Sequence, residues 1–104
     1  MDPISSCKFK PGQIIHHRRY HYRGVIYDVD ESCLAPEEWY QSNQTQPDKN
    51  QPWYHVLVDG ETNMTYVAEE NLEPDASKTQ VDHPLIGEFF SRFEKGQYFR
   101  NHDA

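Results

Sequence analysis

The sequence predicts an all-β (mainly β) domain: a small, strongly bent antiparallel sheet or barrel with a long loop and a short C-terminal helix. Two segments, 22–30 and 53–60, show the alternating pattern of half-buried strands and predict two strands of this sheet. The chain has 104 residues, which suits one domain with a single modest core. Aromatic residues make up 13% of the chain and must supply much of the burial, since all hydrophobic residues together reach only 36%.

The first predicted hairpin joins residues 8–17 to residues 22–30. Pro11 and Gly12 are typical turn residues and are followed by an extended segment, IIHH. The residues RRYH that separate the two strands are few enough for a tight hairpin. Gly24 inside the second strand indicates a bulge or a sharp bend.

Residues 31–52 interrupt the predicted strands. The segment APEEWY predicts the start of a helical turn, with Pro36 at its first position. Residues 41–52 contain no large apolar side chain, so they predict a long solvated loop. A loop of this length in a small domain is a candidate functional or mobile segment.

The second predicted hairpin begins with the clearest strand, WYHVLVDG, in which Asp59 and Gly60 supply the turn. The segment MTYVAEENL then returns as its partner strand. Residues 83–93, HPLIGEFFSRF, change to helical spacing, because Leu85 and Phe89 lie four residues apart. This spacing predicts an apolar stripe on a short helix that packs against the sheet.

The net charge of −7 is unevenly distributed along the chain. Residues 1–27 contain five basic residues and one acidic residue, whereas residues 28–104 contain five basic and sixteen acidic residues. A basic region on an acidic body steers partners locally but repels polyanions at a distance. This pattern argues against a protein that coats nucleic acid without selectivity.

The cysteine content and hydropathy indicate the compartment. Cys7 and Cys33 form no CxxC pair, and two free thiols in a reducing cytosol are favoured over a single disulfide. The sequence shows neither a signal peptide nor an apolar run of about 20 residues. We therefore expect a cytoplasmic protein that has no membrane partner.

Three histidines lie close together at positions 16, 17 and 21, which raises the question of a metal site. Neighbouring residues on a strand face opposite sides, so His16 and His17 cannot bind the same ion, and no cysteine completes a zinc shell with His21. The chain contains no GxSxG nucleophile motif and no glycine-rich phosphate loop. We therefore expect no metal site and no enzymatic activity.

The stretch HHRRYHYR is the candidate DNA-binding site. Its arginines and histidines can donate hydrogen bonds to phosphates or to a guanine edge, and its tyrosines can stack on a base or brace the ribbon. A hydrated hairpin whose tyrosines belong to the core is the alternative interpretation. The acidic remainder of the chain predicts weak binding that falls steeply with salt. The candidate residues are His16, His17, Arg18, Arg19, Tyr20, His21, Tyr22 and Arg23.

Aromatic residues on either side of the long loop form the candidate protein-binding site. Aromatic side chains beside a mobile polar segment suit a recognition groove. For Trp53 and Tyr54, packing in a small barrel is the alternative interpretation. The candidate residues are Trp39, Tyr40, Trp53 and Tyr54.

Four segments in the order KFKPGQIIHHRRYHYRGVIYDVDESC, QPWYHVLVDG, TYVAEENLEP and DHPLIGEFFSRF resemble the YccV-like, or hemimethylated-DNA-binding, domain. The resemblance places a YccV-like domain at residues 8–95, between a disordered lead (1–7) and a tail (96–104). The domain occurs as the bacterial heat-shock protein HspQ and as the C-terminal module of certain F-box proteins.

The resemblance implies an SH3-like barrel without catalytic residues or a cofactor. It also implies two kinds of partner: hemimethylated double-stranded DNA, and the Lon or Clp proteases or their client proteins. A homo-oligomer, by resemblance a trimer, is a further expectation. The expected function is therefore that of a regulatory binding protein of the HspQ/YccV type that binds hemimethylated DNA. The alternative is an adaptor or modulator of Lon or Clp proteolysis that acts through protein contacts.

Overall fold

The structure, a computed structural model, describes residues 7–43 and 46–100, in which seven strands, two α-helices and one 3₁₀ turn occur. The strands are β1 (Ile14–His17), β2 (Arg23–Asp30), β3 (Trp53–Val58), β4 (Met64–Ala68), β5 (Leu72–Pro74), β6 (Phe90–Glu94) and β7 (Gln97–Arg100). The helices are α1 (Glu37–Ser42) and α2 (Ile86–Phe89), and the 3₁₀ turn is Glu69–Asn71. The predicted disordered lead, residues 1–7, lies outside the described residues except for Cys7.

Five strands form one antiparallel sheet in the order β4-β3-β2-β1-β5. Both predicted hairpins are confirmed: Ile15 of β1 pairs with Gly24 of β2, and Tyr54 of β3 pairs with Val67 of β4. The sheet curls, because only the 3₁₀ turn separates its edge strands β4 and β5, and side chains of both edges pack in one core. The chain is therefore mainly β, as the alternating segments predicted.

Each face of the sheet packs against its own hydrophobic core, because side chains alternate between the two faces of a strand. The inner core, inside the curled sheet, consists of Phe9, Ile15, Ile26, Tyr54, Val56, Val67 and Leu72. The outer core, on the opposite face, consists of Ile14, Val25, Leu57, Val81, Phe90 and Tyr98. Val56 and Leu57 of β3 are both fully buried, so neither face of β3 is free at this point.

Gly24 has a packing role and does not form the predicted bulge. The irregularity of β2 lies between Ile26 and Asp28. A Cβ atom at position 24 would lie 2.5 Å from the carbonyl oxygen of Leu57 on the neighbouring strand. Glycine is needed here because the backbone of β3 approaches that of β2 closely.

The C-terminal segment differs in extent from the predicted helix. α2 covers only Ile86–Phe89, after which the chain continues directly into β6 and pairs with β7. Lys95 and Gly96 connect these strands with φ angles of 53° and 77°, and two positive φ values in succession are typical of a tight hairpin turn. Aromatic residues on both sides of this turn favour strands, so a hairpin forms where helical spacing predicted a longer helix. Residues 97–100, which were predicted as part of a tail, form β7.

The segment after β2 forms the predicted short helix, although α1 begins at Glu37 and Pro36 occupies the position just before it. Within the described residues, no helix is long and apolar enough to cross a membrane. Neither Cys7 nor Cys33 forms a disulfide within the described residues.

Candidate functional site

The hairpin tip, defined as Arg18–His21, connects β1 to β2. The His17 N–H donates to the Tyr22 carbonyl at 2.7 Å, and the His21 N–H donates to the His17 carbonyl at 2.9 Å. His21 adopts a left-handed backbone conformation with φ of 60°, which lets four residues reverse the chain. The Arg18 N–H donates to the Asn71 carbonyl at 2.8 Å, so the tip is also anchored to the 3₁₀ turn.

His17 lies directly below this tip and is a structural residue. Its ring is buried, and its Nδ1 accepts hydrogen bonds from the N–H groups of Arg19 at 3.1 Å and Tyr20 at 3.0 Å. Burial, followed by the nearby charges of His16, His21 and Arg19, lowers the pKa of His17 from 6.5 to about 4. The neutral ring therefore holds the tip in place and does not offer a charge to a phosphate.

Arg23, at the other side of the hairpin, is held by its own chain. Its guanidinium donates to Asp59 at 2.9 Å and to Asp75 at 3.3 Å. It also donates to the carbonyl oxygens of Thr79 and Gln80. Its side chain is 21% exposed. Its donors therefore already bind the Asp59 turn and the segment after β5, and the assignment of Arg23 as a DNA contact stays a prediction that these contacts disfavour.

The tip side chains are different, because most of them reach solvent. Arg18 and Arg19 are exposed, as is Tyr20 at 53%. The Arg18 guanidinium donates weakly to the Glu70 carbonyl at 3.4 Å, and the Arg19 guanidinium has no hydrogen bond or ion pair with any described residue. His21 is exposed beside these arginines.

His16 and Tyr22 lie at the base of the hairpin and both have partners. His16 Nδ1 lies 2.9 Å from a carboxylate oxygen of Glu73, so a neighbouring acid partly offsets any charge on this ring. The Tyr22 hydroxyl is 2.7 Å from the Thr65 hydroxyl, and burial raises its pKa. Of the eight predicted DNA-binding residues, the structure therefore presents Arg18, Arg19, Tyr20 and His21 together at an exposed turn, and the other four contact residues of the domain itself.

Of the four predicted protein-binding residues, two are buried and two are half-buried. Trp53 and Tyr54 have no exposed surface, which corrects their assignment as partner contacts and supports the core-packing alternative. The Tyr40 hydroxyl donates to the Pro47 carbonyl at 2.8 Å and so holds the long loop against α1. Trp39 is half-buried, and it remains available to line a surface.

The long loop is attached to the domain wherever it is described. Lys49 forms an ion pair with Glu37 of α1, and its carbonyl accepts a hydrogen bond from the Cys33 N–H at 3.0 Å. Gln51 donates to the Glu70 carboxylate at 2.8 Å. Residues 44 and 45 of the predicted loop lie outside the described residues.

A groove of about 420 Å³ runs along β4 between the hairpin and α1, and its lining includes every residue of β4. We call it the β4-edge groove. Tyr20 and Tyr22 line it from the hairpin, and Trp39 lines it from α1. The ring of Tyr66 lies 5.6 Å from that of Trp39 and 4.6 Å from that of His55, measured between centroids.

Sequence reasoning missed Asp30, His55 and Tyr66 as a group. His55 Nε2 lies 3.0 Å from the Asp30 carboxylate, and the Tyr66 hydroxyl donates to the same oxygen at 2.7 Å. Burial, and then this hydrogen bond, raise the pKa of Tyr66. The three residues come from three strands, so only the strand register makes them neighbours, although each stood in a recognisable strand of the sequence.

The fold and these surfaces define a small antiparallel β domain with a basic hairpin tip and an aromatic groove. Within the described residues, no group of histidine, cysteine and acidic side chains could hold a metal ion. The sequence profile described as "Hemimethylated DNA-binding protein YccV like" matches residues 7–97. The chain therefore belongs to the YccV-like family.

Several curated relatives carry this domain as a small part of a longer protein. The chain is 36% identical over 93 residues to F-box only protein 21 of Homo sapiens and of Pongo abelii. It is 34% identical to the protein of the same name in Mus musculus. These alignments cover 86% of this chain but only 15% of each relative, so they indicate a shared domain.

Proposed function

We propose that this protein is a non-enzymatic regulatory binding protein that recognises hemimethylated duplex DNA through its hairpin tip. The observation that carries the proposal is the pair of exposed guanidinium groups on Arg18 and Arg19, of which the second has no partner among the described residues. Membership of a family described as hemimethylated-DNA-binding supports the same ligand.

The shape and charge of the tip determine how such binding would work. A two-stranded ribbon fits the major groove of B-DNA, which is about 12 Å wide. Arg18 and Arg19 would contact phosphates or a guanine edge, while His17 keeps the turn in shape. Two guanidinium contacts predict a salt dependence with a log–log slope of about −2, since each neutralised phosphate contributes about −0.9.

The direct test is a titration of three labelled duplexes of one sequence: hemimethylated, fully methylated and unmethylated. We expect the hemimethylated duplex to bind most tightly. Its affinity should fall with increasing salt concentration at a log–log slope of about −2. Equal binding of all three duplexes would remove the selective part of the proposal. A slope much steeper than about −4 would mean that more cations than the tip contains take part.

A matched pair of double variants locates the contact. Arg18→Gln/Arg19→Gln removes two charges from the tip, and Arg92→Gln/Lys95→Gln removes two exposed charges from the β6–β7 hairpin. The tip variant should lower the slope by about 2 and the control should leave it unchanged. An equal loss from both variants would show that overall charge, and not the tip, attracts the duplex.

A second function, modulation of proteolysis as an HspQ-type adaptor for Lon or Clp, is favoured by the β4-edge groove. The groove exposes aromatic side chains beside α1, a surface that suits a protein partner better than a polyanion. Its test is the half-life of a client panel in a reconstituted Lon or Clp reaction, with and without this protein. Half-lives that stay unchanged across the panel would count against this role.

Two further expectations accompany these proposals. We propose a cytoplasmic location, which a fractionation experiment would test, and a homo-oligomer, which a native mass measurement would test. A monomeric mass at working concentration would rule out the trimer.

A further inference from the structure

β4 is an edge strand of the five-stranded sheet, so only one of its two edges pairs with another strand of that sheet. The hydrogen bonds at the two ends of β4 show which of its residues bond to β3. The Val58 N–H donates to the Asn63 carbonyl at 3.4 Å, and the Glu69 N–H donates to the Pro52 carbonyl at 2.9 Å. In an antiparallel pair the residues that bond across the ladder alternate, so Thr65 and Val67 also face β3.

The intervening residues of β4 therefore direct their backbone groups away from the sheet. These groups are the N–H and C=O of Met64 and Tyr66, and the N–H of Ala68. Within residues 7–43 and 46–100, none of them has a hydrogen-bond partner outside the strand ladder. Met64 is 50% exposed, so this edge reaches solvent at the start of β4. An edge of this kind is a template for a further strand.

The walls of the β4-edge groove match the side-chain alternation of an added strand. Tyr22 and Thr65 lie on one side of β4, joined by their hydroxyl groups. Trp39 and Tyr66 lie on the other side, with their rings at 62° to each other. Successive side chains of a strand laid along β4 would enter these two sides in turn.

The charge around the Trp39 side identifies the chemistry of the partner. Residues 28–43 contain five acidic residues and no lysine, arginine or histidine, and among these acids Glu37 is paired with Lys49 and Asp30 contacts His55. Asp30 lies in a cleft of about 290 Å³ that shares Trp39, His55 and Tyr66 with the groove. Its second carboxylate oxygen accepts no hydrogen bond from the described residues. An aromatic face beside a carboxylate favours a cationic side chain and disfavours a phosphate.

We propose that an extended peptide segment of a partner protein binds as an added strand at the β4 edge, with a lysine or arginine side chain against Trp39, Tyr66 and Asp30. Main-chain hydrogen bonds to Met64 and Tyr66 supply the affinity, and the aromatic, acidic side supplies the preference for a cation. This inference shares with the second proposed function the requirement for a protein partner. It does not depend on DNA binding.

The test uses the peptide acetyl-TKVKVKT-amide as the probe, titrated into ¹⁵N-labelled full-length protein and followed by NMR. Binding should be detectable below about 2 mM and should shift the amide signals of Met64 and Tyr66. At about 90% occupancy, hydrogen exchange of these two amides should slow about tenfold, whereas Thr65 and Val67 are already protected. Absence of binding at this concentration would overturn the proposal.

Two altered peptides separate strand addition from loose attraction. Methylation of the lysine amides in one peptide and of the valine amides in another blocks one alternating set of N–H groups at a time. Only one of the two should lose binding, because one set faces β4. Equal binding by both would overturn strand addition. Acetyl-TEVEVET-amide should bind at least about threefold more weakly, and equal binding would overturn the preference for a cation.

Variants then locate the cation. Trp39→Ala should weaken binding about fivefold, as expected for loss of a cation–aromatic contact. Asp30→Asn should weaken it about threefold, while Asp82→Asn, a matched loss of charge on the exposed chain before α2, should have no effect. An unchanged affinity of Trp39→Ala, with its fold verified by NMR, would contradict the assigned site. Failure of the degradation assay with peptide binding intact would remove the proteolysis role alone.

Discussion

The tip and the base of the first hairpin contain the same residue types and use them in different ways. At the tip, Arg18 and Arg19 extend into solvent, while Arg23 at the base is held by Asp59 and Asp75. The difference arises from the acidic neighbours that the fold supplies, because only position 23 lies between two carboxylates. A run of basic residues in a sequence therefore overestimates the positive surface of the folded domain.

Two histidines of this hairpin, His17 and His21, differ in the same way as the arginines. His17 accepts two backbone hydrogen bonds below the tip and must be neutral to do so, while His21 is exposed within the tip. If the base of the hairpin stabilises the fold and the tip binds DNA, substitutions at the base should lower the free energy of unfolding. Substitutions at the tip should instead lower the affinity for DNA. The following predictions, in order of decreasing effect, test this division.

The largest expected effect is the pH dependence that His17 gives to stability. Its pKa is lowered from 6.5 to about 4 in the folded protein, so the unfolded chain binds the proton first as pH falls. This stability is fully present above pH 6.5 and is lost between pH 6.5 and 4, by about 3 kcal/mol in total. Denaturant unfolding at a series of pH values measures it.

The matched variant for this prediction is His17→Asn, whose side-chain oxygen can accept the same two backbone hydrogen bonds without titrating. It should lose about 3 kcal/mol less than the parent over this pH range. Parallel pH profiles for the two proteins would show that His17 does not titrate as a buried base.

A smaller effect is expected from Arg23→Met, which removes the guanidinium and keeps much of the side-chain bulk. Asp59 and the buried Asp75 then lose the cation that they share, so the free energy of unfolding should fall by about 2 kcal/mol. The matched Arg18→Met change should cost less than about 0.5 kcal/mol. Equal costs, measured by denaturant unfolding, would contradict the division between base and tip.

The smallest expected effect is a gain in stability from His21→Gly. His21 has a left-handed backbone conformation, in which glycine carries no Cβ penalty, so the variant should be more stable by about 0.5 kcal/mol. It should also bind duplex DNA more weakly than the parent, because an imidazole hydrogen-bonding group is lost from the tip. An unchanged affinity in the duplex titration would exclude His21 from the contact.

Local pattern was sufficient for part of the fold. The alternation in residues 53–58 and the Asp59-Gly60 turn were enough to predict the second hairpin. The hairpin at Lys95-Gly96 also has a local signal, because a glycine lies between two segments that combine aromatic and polar residues. The four-residue spacing around Phe89, however, predicted a helix in the same region. Both patterns are compatible with the same apolar residues, so only packing against the outer core separates them.

Residue type and spacing alone established that this chain is a mainly β domain with a donor-rich hairpin, because alternation and turn chemistry act over a few neighbouring residues. Tertiary structure decided which of those donors are free, since Asp59, Asp75 and Glu73 reach the hairpin from positions 36 to 57 residues away along the chain. It also decided that Trp53 is core and that Tyr66 lines a groove. Such roles depend on strand register and sheet curvature, which no short stretch of sequence encodes.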